Sequence, residues 1–411
     1  MRVVHLSTHE QAGGAARAAH GLHAALRAAG VDSRMLVLER QSDDPVVEVV
    51  ARDPVDEGAW SLIDARWTTG NRTTVSNTMF SSGGLGAALA THPAVAGADA
   101  VNIHWVAGLA SIDSIGAVLA LGKPVVWTLH DEWAFTGGCH YTTGCHAWRT
   151  ACARCPQLAE DPHGLVGWQF GAKRASYARG ALTVVAPSRW LATRAAASAL
   201  LSGRRVETIP YGVDLEVFAP SRRAAGRRRL GLGDHEAAVL FSADAAGERR
   251  KGFAELLQAL AGLEGRVSTA PRLVVLGDAG QVALPADAIA TGRLADRVAL
   301  AEVVAGCDLY VLPSLEDNLP NGVLEAMAAG TACVAFDAGG VPDMLAEAPA
   351  CAMAPVGDVA ALAAEIARSL GRLGELRAAR AALSDFARTR YAPERQAARY
   401  RALYEDLVGR A

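Results

Sequence analysis

An α/β architecture of two Rossmann-like, doubly wound parallel-sheet domains is the fold class this sequence predicts, and three observations predict it. The chain opens on a strand, a glycine turn, a helix and a second strand. The same alternation starts again near residue 207, and a polar loop at residues 313–320 joins a short apolar strand to a helix. A βαβ beginning calls for a parallel pair with its crossover helix on one face, so each stretch predicts a parallel sheet of its own.

Val3, Val4 and Leu6 supply the first strand, Gly13 and Gly14 the turn, and residues 15–29 a helix closed by Gly30. Met35, Leu36, Val37 and Leu38 return as a strand, and apolar runs at 100–103, 124–129 and 182–186 extend the sheet. Residues 41–95 break the pattern with Trp60, Trp67, Met79, Phe80 and Ser81-Ser82-Gly83-Gly84, which reads as an insertion of covering loops. The second unit offers strands at 237–242, 272–276, 298–300, 309–312 and 332–336, with a helix at 252–263 and further helices between. An extended Pro210-Tyr211-Gly212-Val213 stretch joins the units, giving expected domains of 1–206 and 207–391. Residues 392–411 carry Tyr400, Leu403, Tyr404 and Leu407 at helical spacing and predict a closing helix, packed back on the first domain. Ligands of open α/β sheets lie at the carboxyl ends of the strands, so a cleft shared by the two domains is the expected site.

Composition narrows the function classes. The 411 residues suffice for two cores, and 51% hydrophobic with 20% charged residues is ordinary for a globular chain. A net charge of −3 excludes a global polycation, so nucleic acid is not an expected partner. There is no apolar run of about 18 residues for a membrane span and no secretory pattern, which makes a cytoplasmic, reducing compartment the expectation. Residues 168–205 are basic and aromatic, with Trp168, Phe170, Lys173, Arg174, Arg179, Arg189, Trp190, Arg194, Arg204 and Arg205. They read as solvated helix faces or as a peripheral contact at the inner face of a membrane.

The chemistry concentrates in Pro313-Ser314-Leu315-Glu316-Asp317-Asn318-Leu319-Pro320-Asn321-Gly322-Val323-Leu324-Glu325-Ala326-Met327-Ala328-Ala329-Gly330. A helix starting near Asn321 after a strand end offers backbone N–H groups and a positive dipole end to a pyrophosphate. Asp317 and Glu325 bracket that helix start, and carboxylates suit hydroxyl-rich ligands because they accept several hydrogen bonds. A second stretch, Gly247-Glu248-Arg249-Arg250-Lys251-Gly252-Phe253, sets three cations before another helix, again fit for a diphosphate. A third, Thr128-Leu129-His130-Asp131, puts an imidazole at a strand end.

Together these stretches resemble glycosyltransferase family 4 of the GT-B fold, whose Glu-x7-Glu motif lies in a P-S-x-x-E-x-x-x-x-x-x-L-E-A-M-A-x-G context. Here Asp317 stands at the first acidic position, with Glu316 one residue early as the rival. The resemblance covers nearly the whole chain, with Ala186-Pro187-Ser188, Ile209-Pro210-Tyr211-Gly212-Val213-Asp214 and Thr291-Gly292-Arg293-Leu294 at other family landmarks. It implies anomer-retaining transfer from a nucleotide-diphosphate sugar to a hydroxyl acceptor, possible in lipid-linked form, in polysaccharide or glycoconjugate assembly. It gives Lys251, with Arg249 or Arg250 in place of a family Arg missing from Ala243-Asp244-Ala245, the donor diphosphate. Asn321, Gly322 and the Gly13-Gly14 turn join them there. His130, Asp317, Asn318 and Leu319 fall to the donor sugar, Glu325 to the ribose, and Arg293 and Leu294 to the base. No catalytic cofactor is implied. The alternatives are a nucleotide-sugar epimerase on the same fold and a non-catalytic carbohydrate-binding or scaffold protein.

Four of the 7 Cys, Cys139, Cys145, Cys152 and Cys155, cluster just after His130. One C-x2-C among them, in a reducing compartment, suggests a structural four-thiolate zinc knuckle, with two disulfides or unpaired thiols as the other readings. Similar Cys-rich loops occur in a subset of the resembling family.

Overall fold

The structure, a computed structural model, describes residues 1–280 and 282–410. The chain divides into two compact units, Met1–Tyr211 with Pro393–Ala411, and Gly212–Ala392.

The first unit is built on seven parallel strands: β1 (Arg2–Leu6), β2 (Asp32–Val37), β3 (Val47–Val49), β4 (Ala100–Ile103), β5 (Val125–Thr128), β6 (Leu182–Ala186) and β7 (Val206–Thr208). Their spatial order is β3-β2-β1-β4-β5-β6-β7, with every neighbouring pair parallel. Both faces are covered, as a parallel sheet requires. Val4, Leu6, Val101, Ile103, Val125 and Trp127 enter one apolar core, while Val3, Ala100 and Val126 enter another on the opposite face. That second core is filled by α1 (Gly14–Ala28), through Leu22 and Leu26, and by the chain's last helix. Gly13 starts α1 from φ +85°, a left-handed conformation that favours glycine.

The second unit carries six: β8 (Ala238–Ala245), β9 (Arg272–Asp278), β10 (Ile289–Gly292), β11 (Leu309–Leu312), β12 (Ala332–Phe336) and β13 (Ala352–Ala354), in the order β10-β9-β8-β11-β12-β13 and again all parallel. The expected strand at 298–300 is instead part of a helix, Arg297–Gly306. Asp296 caps it by accepting from Val298 N at 2.9 Å, and its buried Ala301, Val303 and Val304 follow helical spacing. The strand of this stretch is β10, whose polar Thr and Gly hid it. Residues 41–95 are more regular than expected, with β3 pairing with β2 and a helix at Pro54–Ile63 capped by Asp53.

The closing helix (Pro393–Val408) packs on α1, and Tyr400 and Tyr404 on it are fully buried. Asn102 Nδ2 donates to Tyr404 Oη at 2.7 Å. Thr128 Oγ1 donates to Asn102 Oδ1, so the Tyr400 hydroxyl, 2.9 Å away, donates to Thr128. Tyr400→Phe should therefore cost about 1 kcal/mol, the net value of one buried hydrogen bond, read from the urea unfolding midpoint.

Candidate active site

In a doubly wound sheet the ligand crevice opens where strand order reverses, outside the carboxyl ends of the two strands that flank the reversal. In the second unit those strands are β8 and β11, because β9 and β10 leave on one side and β12 and β13 on the other. The loop after β8 carries Arg249, Arg250 and Lys251, and the loop after β11 carries residues 313–320. The fold thus brings two of the three sequence-predicted stretches to one point.

They meet at Asp317. Lys251 Nζ lies 2.9 Å from Asp317 Oδ2, and Arg250 Nη1 lies 3.3 Å from the same oxygen. Arg250 also donates to the Glu316 carbonyl at 2.7 Å and pairs with Glu248 at 2.9 Å. Asp317 is only 5% exposed. Burial pushes its carboxyl upward, but Lys251, then Arg250, together with hydrogen bonds from Lys251 and the Asn318 amide, hold it below the usual carboxylate range. The Asp317 side chain thus faces both cations. Arg249 is exposed.

Two glycines let these loops approach. Gly252 adopts φ +69°, and a Cβ there would stand 1.8 Å from the Pro313 carbonyl oxygen; Gly339 adopts φ +58°, with a Cβ 1.8 Å from the Asp317 carbonyl oxygen. Leu315 N donates to the Arg250 carbonyl at 2.8 Å, stitching the loops together. Beyond them α2 (Asn321–Ala328) begins with no side-chain cap, and Gly330 at φ +72° follows its end. Gly322 lies over the Tyr310 hydroxyl, which would meet a Cβ at 2.4 Å. Burial raises the Tyr310 phenol well above its ordinary value, and Cys333, Glu325 and Asp317 add to that.

The remaining predicted residues spread along the same sheet edge. Glu325 is half-buried on α2. Asn318 and Leu319, expected at the sugar, are buried beside Asp317 at 2% and 4% exposure. Arg293, just past β10, is exposed and reaches the Asp244 carbonyl at 3.2 Å and Asp278 at 3.5 Å. Leu294 beside it is half-buried.

In the first unit the reversal lies between β1 and β4. A pocket at the ends of β4 and β5 is lined by residues that include His104, Trp105, His130, Asp131, Trp133 and His140. The His130 ring has both nitrogens engaged: Nε2 lies 3.0 Å from His104 Nδ1, and Nδ1 lies 2.7 Å from Tyr211 Oη. Burial lowers its pKa to about 4, with Asp131 opposing, so the ring is neutral near pH 7. Sequence reading placed His130 at the strand end but missed these partners. Asp131 is hydrogen-bonded by His140 at 2.5 Å and by Trp105 Nε1 at 2.9 Å. Burial pushes its carboxyl up, and His140, the Trp133 amide and His130 together hold it low. Gly13 and Gly14, expected near phosphates, form the loop-to-α1 junction of this unit.

All four clustered cysteines line one small cavity with Trp148 and Val166, and all are free thiols. Among the described residues no group of three or more His, Cys, Asp or Glu side chains is arranged to hold a metal ion. The neighbouring Cys155 and burial hold the Cys139 thiol well above its ordinary value, while the Cys155 thiol is lowered to about 7. The basic, aromatic stretch 168–205 divides, with Trp168, Arg174, Arg179, Arg189 and Arg205 exposed and others engaged. Phe170 and Lys173 are buried, Lys173 donating to the Trp133 and Thr136 carbonyls; Arg194 pairs with buried Glu132; and Arg205 pairs with Glu207 and Asp406. Among the described residues no helix is long and apolar enough to cross a membrane.

The family model described as Glycosyltransferase Family 4 matches residues 12–217, and that described as Glycosyl transferases group 1 matches residues 236–372. The chain is 32% identical over 125 residues to WcaC of Escherichia coli K12, a glycosyl transferase assigned by name to colanic acid biosynthesis, covering 27% of this chain and 30% of WcaC. It is 34% identical over 157 residues to the D-inositol 3-phosphate glycosyltransferase of Segniliparus rotundus, 35% of this chain and 34% of that one. These matches span about a third of the relatives' own length. Among solved structures, sucrose-phosphate synthase from Thermosynechococcus elongatus superposes with a TM-score of 0.69 at 18% identity, covering 100% of both chains. Anabaena Alr3699/HepE in complex with UDP and glucose gives 0.65 at 16%, covering 98% of this chain and 99% of that one. At such identities they speak for the fold.

Proposed function

Because the chain belongs to glycosyltransferase family 4, we propose that it moves a sugar from a nucleotide-diphosphate donor to a hydroxyl acceptor in polysaccharide, glycolipid or glycoconjugate biosynthesis. The observation that carries this reading is the meeting of Arg250, Lys251 and Asp317 outside the ends of β8 and β11. An ammonium has three donors. Lys251 directs one at Asp317, which leaves others for a phosphate oxygen.

The glycosidic C–O bond breaks with its electron pair passing to the diphosphate, so the charge that grows there is what must be stabilised. Lys251, Arg250 and the amino end of α2 at Asn321 and Gly322 supply that stabilisation before the reaction begins. Asp317 accepts hydroxyls of the donor sugar and Glu325 those of the ribose, while Arg293 and Leu294 flank the base. The acceptor oxygen attacks the anomeric carbon on the face the diphosphate leaves, with retention, and its proton passes to the departing phosphate oxygen. Alr3699/HepE is solved with UDP and glucose, which makes uridine donors the first to try.

A thermal-shift screen of UDP-, GDP- and ADP-sugars, followed by product analysis with and without hydroxyl acceptors, tests the reading. A glycosyltransferase gives a new glycoside only when acceptor is present. Sugar interconversion without acceptor would mark an epimerase, and a shift with no turnover would mark a binding protein; either outcome sinks the proposal.

A further inference from the structure

Three histidines on neighbouring strands form one hydrogen-bonded row in the first unit. His5 lies on β1, His104 follows β4, and His130 follows β5. His5 Nδ1 is 2.9 Å from His104 Nε2, His104 Nδ1 is 3.0 Å from His130 Nε2, and His130 Nδ1 is 2.7 Å from Tyr211 Oη. The first two rings are essentially inaccessible, at 0% and 2% exposure.

A neutral imidazole has one N–H and one lone pair, so each link fixes the next. Only two head-to-tail arrangements satisfy all three links. In one, Tyr211 donates to His130, His130 Nε2–H to His104, and His104 Nε2–H to His5, which then carries its own proton on Nε2. In the other, His5 Nδ1–H donates to His104, His104 Nδ1–H to His130, and His130 Nδ1–H to the Tyr211 oxygen.

The inner end chooses between them. His5 Nε2 is buried with no protein hydrogen-bond partner. The neighbouring group, His23, whose ring lies 6.0 Å away, also has an unpartnered Nε2, its Nδ1 being engaged with Ser33. Buried N–H groups without acceptors are rarer in folded proteins than acceptors left short of donors. The arrangement that leaves a lone pair at His5 Nε2 is therefore the lower in energy.

We propose that His5 and His104 are positioning residues that lock His130 as its Nδ1–H tautomer, so that His130 offers a hydrogen-bond donor and not a base at its outer nitrogen. An oxygen-bearing ligand group, a sugar hydroxyl or a phosphate oxygen, is the class that takes the place of the Tyr211 oxygen at that nitrogen. The groups facing the row are His23 at its inner end and Asp131 beside His130. Burial disfavours protonation of each ring, which keeps all three neutral and the row intact near neutral pH.

Long-range nitrogen–proton correlation spectra of the full-length chain, labelled with 15N-histidine, test this directly. The wild-type His130 should carry its proton on Nδ1 from pH 6 to 8. His104→Gln, whose amide can donate to His130 and accept from His5, should keep that tautomer. His104→Phe should give a mixture and lower transfer about three- to tenfold, the value of one hydrogen bond. The transfer readout rests on the proposed activity, whereas the tautomer readout does not. A wild-type proton on Nε2, or an unchanged tautomer in His104→Phe, would overturn the assignment. If His104→Phe does not fold, the wild-type spectrum alone decides.

Discussion

Asp317→Asn should lower glycosyl transfer about ten- to hundredfold while leaving affinity for a bare nucleoside diphosphate equal to wild type or higher. The carboxylate stands between Lys251 and Arg250, and the substitution keeps its size while deleting its charge. A charged hydrogen bond to a sugar hydroxyl contributes roughly 1.5–3 kcal/mol, and about 1.4 kcal/mol is a factor of ten. Two cations relieved of their carboxylate attract an anionic ligand at least as well as before. Glu316→Gln should change transfer much less, because Asp317 is the carboxylate that pairs with both Lys251 and Arg250. The reverse ranking of the two variants in a transfer assay would mean that Glu316 holds the sugar. The same carboxylate sets a pH dependence. Its folded pKa lies below the unfolded value of about 3.9, so the ion pairs' stabilisation is present above that value and is lost as pH falls through the folded pKa. Asp317→Asn should flatten the acid limb of stability measured by denaturation.

Gly252→Ala should have the largest effect on stability, about 3 kcal/mol or more. Its φ of +69° strains any residue bearing a Cβ, and that Cβ would stand 1.8 Å from the Pro313 carbonyl oxygen. The backbone has to part there, which separates the Lys251 loop from the Asp317 loop. Nucleotide affinity should fall with the unfolding midpoint. An alanine variant with wild-type midpoint and wild-type affinity would show that the two loops are not locked together at this glycine.

Much of this was legible in the sequence because it is written locally. The strand runs at 100–103, 309–312 and 332–336 are short, apolar and bounded by turn residues, and all appear as β4, β11 and β12. The family resemblance put Asp317 rather than Glu316 at the first acidic position, and the cations of residues 249–251 stood out by their place before a helix. Edge strands were harder. β3, β7 and β13 have three residues each and take their identity from pairing with a neighbour, which no local pattern records. Residues 298–300 looked like a strand because Val, Ala and Leu fit either period until the Asp296 cap is recognised. The histidine row was illegible for another reason: His5, His104 and His130 lie 99 and 26 residues apart, and only the strand order β1-β4-β5 makes them neighbours.

Calorimetric titration of the intact chain with UDP and with GDP, repeated on Lys251→Ala, tests the central claim that the ends of β8 and β11 hold a nucleotide diphosphate. Lys251 is the cation nearest Asp317, and removing its charged hydrogen bond to a phosphate should weaken binding about ten- to hundredfold. The predicted result is saturable binding of one nucleoside diphosphate per wild-type chain, weakened to that extent in a Lys251→Ala protein that still unfolds cooperatively. Equal affinity in the two proteins, or no saturable binding of either nucleotide to the wild type, would contradict it.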